Sequence, residues 1–348
     1  MHKKKIKIFL GGYINYTNAQ NLNCLALAKY LDSSKFTIYA LSVYFLPKIK
    51  SQAIVFNCFF PFKISSIIGF LWGVLYCDVI YLPKHHSTPR LVLIISNLLG
   101  KKIFTTIEAN MCDKRKERSM IKAFGGQDKL INYFRYFTNI FPITKFILDN
   151  SNCGVLLKSK VLYLGVDSDD FAPILKDNLR NIVFIGSLVN GKGTDEFIQI
   201  AKIFTKFKFH VIGDGPLRNK LENISSGNVI FHGLIVNNQL KHVLNNMDLH
   251  LLLSRSEGFP KVILETAASG IPSIVYSDYG ASEWIVNNEN GFVVKNFNQL
   301  TETISDLIDN ENSLLRNSEG AILMSKKFDW KFVVEEWEKV IVNLHNGQ

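Results

Sequence analysis

The sequence predicts an α/β protein of two doubly wound, parallel-sheet domains facing each other across a cleft. Three observations carry this. Short apolar runs rich in β-branched and aromatic residues alternate with longer amphipathic stretches along all 348 residues. The alternation pauses once, in a connector from Leu162 through Gly165-Val166-Asp167 to Pro173, and then restarts. Several apolar runs in the second half end on glycine or serine, where parallel sheets present their ligands to loops.

In the first half, Ile6–Leu10 reads as a strand closed by Gly11-Gly12. Thr17–Leu31 follows as a helix with Leu22, Leu25, Ala28 and Leu31 on one face. Strands are expected at 36–43, 53–59, 78–82 and 102–107, and helices at 65–76 and 91–99. A longer, wetter helical region runs to about Asn139. In the second half, strands are expected at 181–186, 209–213, 229–233, 249–254, 273–276 and 292–294. Helices are expected at 194–205, 239–247 and 260–269. This βαβ order implies sheets covered on both faces. The apolar stretch Ile67–Leu82 carries Asp78 and Gly73 and stops at Pro83, so it reads as a helix and a strand, with no transmembrane helix expected.

Composition bounds the partners. The chain is 47% hydrophobic without low-complexity tracts, enough for two ordinary cores. Cysteines at 24, 58, 77, 112 and 153 share no metal or disulfide-framework spacing, so a reducing, cytosolic setting is expected. Met1-His2-Lys3-Lys4-Lys5 begins like a signal peptide, but the apolar segment after it is too short. Residues 1–165 hold 23 Lys and Arg against 7 Asp and Glu; residues 166–348 hold 17 against 23. A basic half suits nucleic acid, an anionic membrane or a phosphorylated substrate, and the alternative is a solubility charge spread evenly. The local cluster Lys114-Arg115-Lys116-Glu117-Arg118 favours a docking role, with about 1 kcal/mol per well-placed cation near anionic lipid.

The most informative segment is Arg255-Ser256-Glu257-Gly258-Phe259-Pro260-Lys261-Val262-Ile263-Leu264-Glu265. Pro260 suits the first helical position, which leaves the amides of Gly258 and Phe259 free beside the Glu257 carboxylate. Hydroxyls of a ligand would donate to Glu257, and phosphate oxygens would accept from the backbone. Gly186-Ser187-Leu188-Val189-Asn190-Gly191-Lys192-Gly193-Thr194 nearly spells a P-loop, but Gly193 stands where the metal-binding hydroxyl belongs. The favoured reading is that Lys192 binds a diphosphate; a plain flexible turn is the alternative. Gly213-Asp214-Gly215-Pro216 is a similar junction, as readily structural as ligand-binding. Asp167-Ser168-Asp169-Asp170 lies in the connector and reads as a solvated hinge. His85, His86 and Glu108 follow strand ends of the first half and either touch substrate or serve as ordinary surface groups.

Together these motifs resemble a known family. Lys192-Gly193, Gly213-Asp214-Gly215-Pro216, Phe231-His232-Gly233, Ser254 to Glu265, Ala268-Ser269-Gly270-Ile271-Pro272 and Asn290-Gly291-Phe292 occur in the order seen in the second domain of GT-B glycosyltransferases of family 4, the retaining "group 1" enzymes. Tyr163-Leu164-Gly165-Val166-Asp167 with Phe171-Ala172-Pro173 looks like that family's interdomain connector, and Asp329-Trp330 like the start of its closing helix. The resemblance implies domains at 1–165 and 166–329, with a helix over about 330–348 packing back on the first. It implies transfer of a sugar from a nucleotide-sugar with retention at the anomeric carbon. It places Glu257 on a donor-sugar hydroxyl with help from the Gly258 and Phe259 amides, Glu265 on the ribose, and Lys192 and Gly12 on the diphosphate. Gly233 and Leu234 would lie against the base, and Gly186, Ser187, Arg255 and Pro260 complete the donor set. Glu257, Lys192 and Glu108 are the candidate catalytic residues, and no metal or other cofactor is implied.

Two departures stand out. Many members carry an arginine where this chain has Ser187, so Arg255 or another cation would have to substitute. Many carry a histidine where this chain has Glu108, which leaves Glu108 to bind acceptor or donor hydroxyls, with His85 and His86 on the acceptor side. The expected function is a peripheral enzyme of the inner membrane face that builds a lipopolysaccharide, capsule or lipid-linked glycan. The basic half, with Tyr133-Phe134-Arg135-Tyr136-Phe137, would dock on anionic lipid, and no nucleic-acid partner is expected. A nucleotide-sugar epimerase of the same fold and a non-catalytic basic or sugar-binding protein are the alternatives.

Overall fold

A computed structural model of the chain describes residues 4–111, 120–151 and 153–347. The chain divides into two compact units, Met1–Leu164 with Trp330–Gln348, and Gly165–Asp329. Each is built on one six-stranded, all-parallel sheet.

The first unit runs β1 (Ile6–Tyr13), α1 (Ala19–Tyr30), β2 (Phe36–Val43), β3 (Ile54–Cys58), α2 (Phe62–Tyr76), β4 (Val79–Tyr81), α3 (Arg90–Leu98), β5 (Lys102–Ile107), α4 (Met120–Phe124), α5 (Gln127–Phe134), β6 (Asn139–Pro142) and α6 (Lys145–Asn150). Its strand order is β3-β2-β1-β4-β5-β6. Ile8, Phe9 and Leu10 are fully buried in succession, because a central parallel strand is covered on both faces. Asn18 caps α1, its side chain accepting from the Asn21 amide at 2.8 Å, so the helix starts after the polar run rather than at Thr17.

The single long helical region expected before Asn139 is instead two short helices and an unforeseen strand. Asn139–Pro142 is only four residues and ends in proline, which an edge strand tolerates because no further strand needs its missing amide. The basic cluster Lys114–Arg118 lies outside the described residues.

The second unit runs β7 (Asn181–Ile185), α7 (Thr194–Ile203), β8 (Lys208–Ile212), α8 (Arg218–Ile224), β9 (Val229–Gly233), α9 (Asn237–Leu244), β10 (Leu249–Leu252), α10 (Lys261–Ala268), β11 (Ser273–Tyr276), β12 (Gly291–Val294), α11 (Phe297–Asp309) and α12 (Glu311–Lys327). Its order, β12-β11-β10-β7-β8-β9, repeats the doubly wound topology of the first sheet. The connector is tied within this unit. The Val166 amide donates to Phe328 O at 2.9 Å, and the Ser168 amide to the buried Asp329 carboxylate at 3.1 Å. The last helix, α13 (Trp330–Asn346), packs on α1 and β4 of the first unit. There Trp337 is fully buried against Tyr81 and Phe104, and its indole N–H donates to Tyr163 O at 3.0 Å.

Among the described residues no helix is long and apolar enough to cross a membrane; Ile67–Leu82 divides between α2 and β4. Cys24, Cys58 and Cys77 are buried and free, but Cys153 is disulfide-bonded, a pairing that the cysteine spacing did not announce. A disulfide requires only that two Cα atoms approach within roughly 7 Å in the fold, whatever their spacing in the chain.

Candidate active site

The second sheet reverses its winding between β7 and β10, so the loops after these two neighbouring strands diverge and leave a crevice at the carboxyl ends. Gly193 closes the loop after β7. Its φ is +72°, and a Cβ there would sit 2.3 Å from the Leu253 carbonyl oxygen, so only glycine lets this loop press on the end of β10. The closure brings Lys192 Nζ to 2.6 Å from Glu257 Oε1. The Lys192 side chain is 33% exposed and that of Glu257 14%, so the pair is partly buried yet still open to ligand. The two groups expected to meet separate parts of a donor are thus bonded to each other in the free protein.

The tips of the adjoining strands are stacked on this loop. The Gly186 amide donates to Ile212 O at 2.9 Å, the Gly213 amide to Gly233 O at 2.8 Å, and the Leu188 amide to Asp214 O at 3.0 Å. Ser187 is exposed, and Leu234, just past β9, is 81% exposed. Gly186, Ser187, Lys192, Gly233 and Leu234 therefore all sit at the carboxyl ends of β7 to β9.

Helix α10 starts at Lys261, and Pro260 is its N-cap in extended backbone rather than its first helical residue. The ring preceding Pro260 explains the shift: Phe259 is buried against Trp284 at 5.1 Å and Phe328 at 5.7 Å, which holds the chain extended up to the helix. Among the described residues, neither the Gly258 nor the Phe259 amide donates to a backbone carbonyl. Glu265 lies just over one turn into α10 and is partly accessible. Burial pushes its carboxyl above the ordinary 4.5, only partly offset by Lys261. A carboxylate held this way gains from ligand hydroxyl donors, which replace lost hydration.

Arg255 is already engaged. Its guanidinium carbon lies 3.4 Å from the Tyr276 ring centroid, and its nitrogens are 3.3 Å from Glu196 and 3.3 Å from Asp278. Tyr276 donates to Glu196 in a short hydrogen bond. Tyr279, fully buried, has an unpartnered hydroxyl whose pKa is raised by burial and by the nearby Glu257 charge. The sequence reading missed Glu196, Tyr276, Asp278 and Tyr279. The signal was present for the last three: Tyr276 ends β11, the neighbour of β10, and Asp278 and Tyr279 follow it, by the same strand-tip rule.

In the first unit the reversal falls between β1 and β4. Gly11-Gly12 does not close β1; the strand continues to Tyr13 through a register shift after Leu10. A Cβ on Gly12 would meet Cys24 Sγ at 2.7 Å, so the residue is packed against α1. Glu108, past the end of β5, accepts from Asn23 Nδ2 at 2.9 Å. His86 is exposed, its ring 4.8 Å from that of Phe124. His85 is not a surface group: it is buried among Tyr133, Phe134 and Phe137, with Nε2 3.2 Å from Thr106 O, and burial lowers its pKa to about 4. The aromatic run expected to meet lipid is correspondingly interior, with Tyr133, Phe134 and Phe137 all buried.

Residues 166–324, nearly all of the second unit, match the profile of the family described as Glycosyl transferases group 1. An uncharacterised glycosyltransferase of Methanocaldococcus jannaschii is 29% identical over 223 residues, 61% of this chain and 62% of that protein. The capsular polysaccharide biosynthesis glycosyltransferase CapM of Staphylococcus aureus is 26% identical over 299 residues, 80% of this chain and 67% of CapM. The chain thus matches less than two thirds of the length of the first of these relatives. Sucrose-phosphate synthase from Thermosynechococcus elongatus superposes with a TM-score of 0.79 at 12% identity, covering 99% of this chain and 100% of the other. That likeness shows the fold: two parallel doubly wound sheets of the GT-B kind.

Proposed function

We propose, for a chain whose residues 166–324 match the glycosyl transferases group 1 profile, a retaining transfer of sugar from a UDP- or GDP-linked donor to a lipid-linked glycan or a lipopolysaccharide- or capsule-type acceptor at the cytoplasmic membrane face. One observation carries the reading. A lysine and a glutamate bonded at 2.6 Å occupy the winding reversal of the second sheet, and that glutamate stands eight residues before a desolvated one on the helix that follows. A nucleotide-sugar has the complementary parts: a diphosphate for Lys192, a sugar hydroxyl for Glu257 and ribose hydroxyls for Glu265.

Binding then exchanges partners. Lys192 leaves Glu257 for the diphosphate, and Glu257 turns to a donor-sugar hydroxyl. The free amides before α10 add fixed donors for developing negative charge. The acceptor hydroxyl oxygen bonds to the anomeric carbon on the face from which the diphosphate departs. The old C–O bond breaks, and the leaving phosphate oxygen takes the acceptor's proton. Charge on the leaving group is met by Lys192 and backbone amides, so this chemistry requires no metal. Glu108 and His86 are the first unit's candidates for the acceptor. The capsular role in the name of CapM supports a polysaccharide product.

The test is donor turnover without acceptor. Incubated with UDP- and GDP-sugars, the protein should release free sugar whose first-formed anomer matches the donor's, read by proton NMR. An inverted first product, or no binding of any nucleotide or nucleotide-sugar by calorimetry, overturns the proposal.

A further inference from the structure

We infer that the corner of the first unit formed by residues 44–50 and 59–64 is the face with which the protein lies on an anionic bilayer. The inference deepens the membrane part of the proposed function, and it stands on a different surface from the buried Tyr133–Phe137 run.

Two loops make the corner, one leaving β2 and one leaving β3, at the carboxyl ends of the sheet's edge pair. They are bonded side by side. Val43 pairs with Cys58, and the Tyr44 amide donates to Cys58 O at 3.0 Å. Asn15 fixes the first loop by accepting from the Val43 amide at 2.8 Å and donating to Val43 O at 2.9 Å. Ser65 fixes the second by donating to Phe59 O at 2.6 Å. The backbone is therefore held, yet the large apolar side chains it carries face water. Phe60 is 92% exposed, Phe45 78% and Tyr44 72%, and Ile49, Phe59 and Ile64 are exposed beside them. Holding these rings outward does nothing for the core, and a contiguous apolar patch of this kind marks a docking surface.

Charge selects the partner. Lys48, Lys50 and Lys63 are exposed in the same two segments, which contain no Asp or Glu. From residue 33 to residue 107 the chain holds eight Lys and Arg and a single acid, Asp78, whose carboxylate accepts from the Lys7 amide at 3.0 Å. The apolar surface continues along Ile64, Ile68 and Leu75 of α2 and Leu91, Ile94 and Leu98 of α3. Each triplet lies on one side of its helix by spacing, and the two helices pack together. Exposed aromatics interleaved with lysines and no acids match a bilayer interface: rings settle at headgroup depth, lysine stems add apolar area, and ammonium groups meet lipid phosphate. A second copy of the chain would bring lysines against lysines, which disfavours self-pairing.

The test uses the full chain without donor or acceptor. Sedimentation with mixed phosphatidylglycerol–phosphatidylcholine vesicles should capture the protein, and pure phosphatidylcholine should capture much less. Lys48→Gln with Lys50→Gln should lower partitioning about twenty-fivefold, from about fivefold for each lysine. Phe45→Ser with Phe60→Ser should abolish the part that survives high salt. Unchanged melting temperatures would show both variants folded, as expected for such exposed positions. Wild-type indifference to anionic lipid, or variants that sediment like wild type, would overturn the inference. So would a wild-type dimer in ultracentrifugation that the phenylalanine changes convert to monomer. Failure of sugar release with vesicle binding intact overturns the transferase reading and leaves the docking face supported.

Discussion

Replacing Glu257 by glutamine separates the two tasks of the site and gives opposite signs for them. In the free protein Lys192 Nζ is 2.6 Å from Glu257 Oε1, so a bare nucleoside diphosphate must compete with Glu257 for the lysine. Glu257→Gln keeps the shape and the hydrogen bond from the lysine ammonium but removes the opposite charge, so Lys192 is held less tightly by about 1 kcal/mol. UDP or GDP, which lacks the sugar that Glu257 serves, should then bind about fivefold more tightly. Turnover of the corresponding nucleotide-sugar should fall by orders of magnitude, because the carboxylate facing the cationic transition state is gone. Isothermal calorimetry with both nucleotides, beside donor hydrolysis, reads the two effects. Weaker nucleoside diphosphate binding in Glu257→Gln would refute the exchange of partners.

Three further outcomes are expected. Glu265→Gln should weaken nucleotide binding yet raise the melting temperature at neutral pH. The folded pKa of Glu265 is raised by burial, so its charged form costs stability above that pKa; the advantage of glutamine should vanish below about pH 4, where folded and unfolded carboxyls are both protonated. His85 and His210 are lowered to about 4 and His250 to about 3, all chiefly by burial, so stability should be full above pH 6.5 and fall steadily as pH drops toward 4. Thermal melts at a series of pH values that show a flat profile over that window would contradict the neutral buried imidazoles. Gly193→Ala should cost more than about 1 kcal/mol, since the left-handed backbone and the Leu253 carbonyl at 2.3 Å both resist a Cβ. Circular dichroism should show the lower midpoint, and calorimetry a loss of nucleotide affinity as Lys192 is displaced.

The sequence made legible what depends on local pattern. Strand-to-helix junctions announced themselves through glycine, and Gly186, Gly213 and Gly233 do stand at the ends of β7, β8 and β9. Alternation of apolar runs with amphipathic stretches foretold two parallel doubly wound sheets, and every strand pair is parallel. What long-range packing decides stayed hidden. β6 was missed because four residues ending in proline acquire strand character only by pairing with β5. His85 looked like a strand-tip ligand, but its neighbours Tyr133, Phe134 and Phe137 close over it from a segment 48 to 52 residues away. The exposed rings of Tyr44, Phe45 and Phe60 lie just beyond the strands expected at 36–43 and 53–59, and their outward direction stayed hidden because composition cannot tell an outward phenylalanine from an inward one.

A single physical difference separates the candidate site from the charges around it. Arg255 is clamped by two carboxylates and a ring, an arrangement that three groups on α7 and the β11 loop would all have to relax to release. Among the described residues Lys192 is held by one carboxylate only, on a loop whose shape Gly193 fixes without using the side chain. The same field of mixed charge thus contains one cation that is structurally committed and one that a diphosphate can take at the expense of a single hydrogen bond. If Arg255 were the working cation, Arg255→Lys would reduce nucleotide affinity more than Lys192→Met does. The geometry requires the reverse order: Lys192→Met should weaken nucleoside diphosphate binding about tenfold or more, by the loss of a charge-assisted contact. Arg255→Lys should chiefly lower the melting temperature, because an ammonium cannot bridge Glu196 and Asp278 while lying flat on Tyr276.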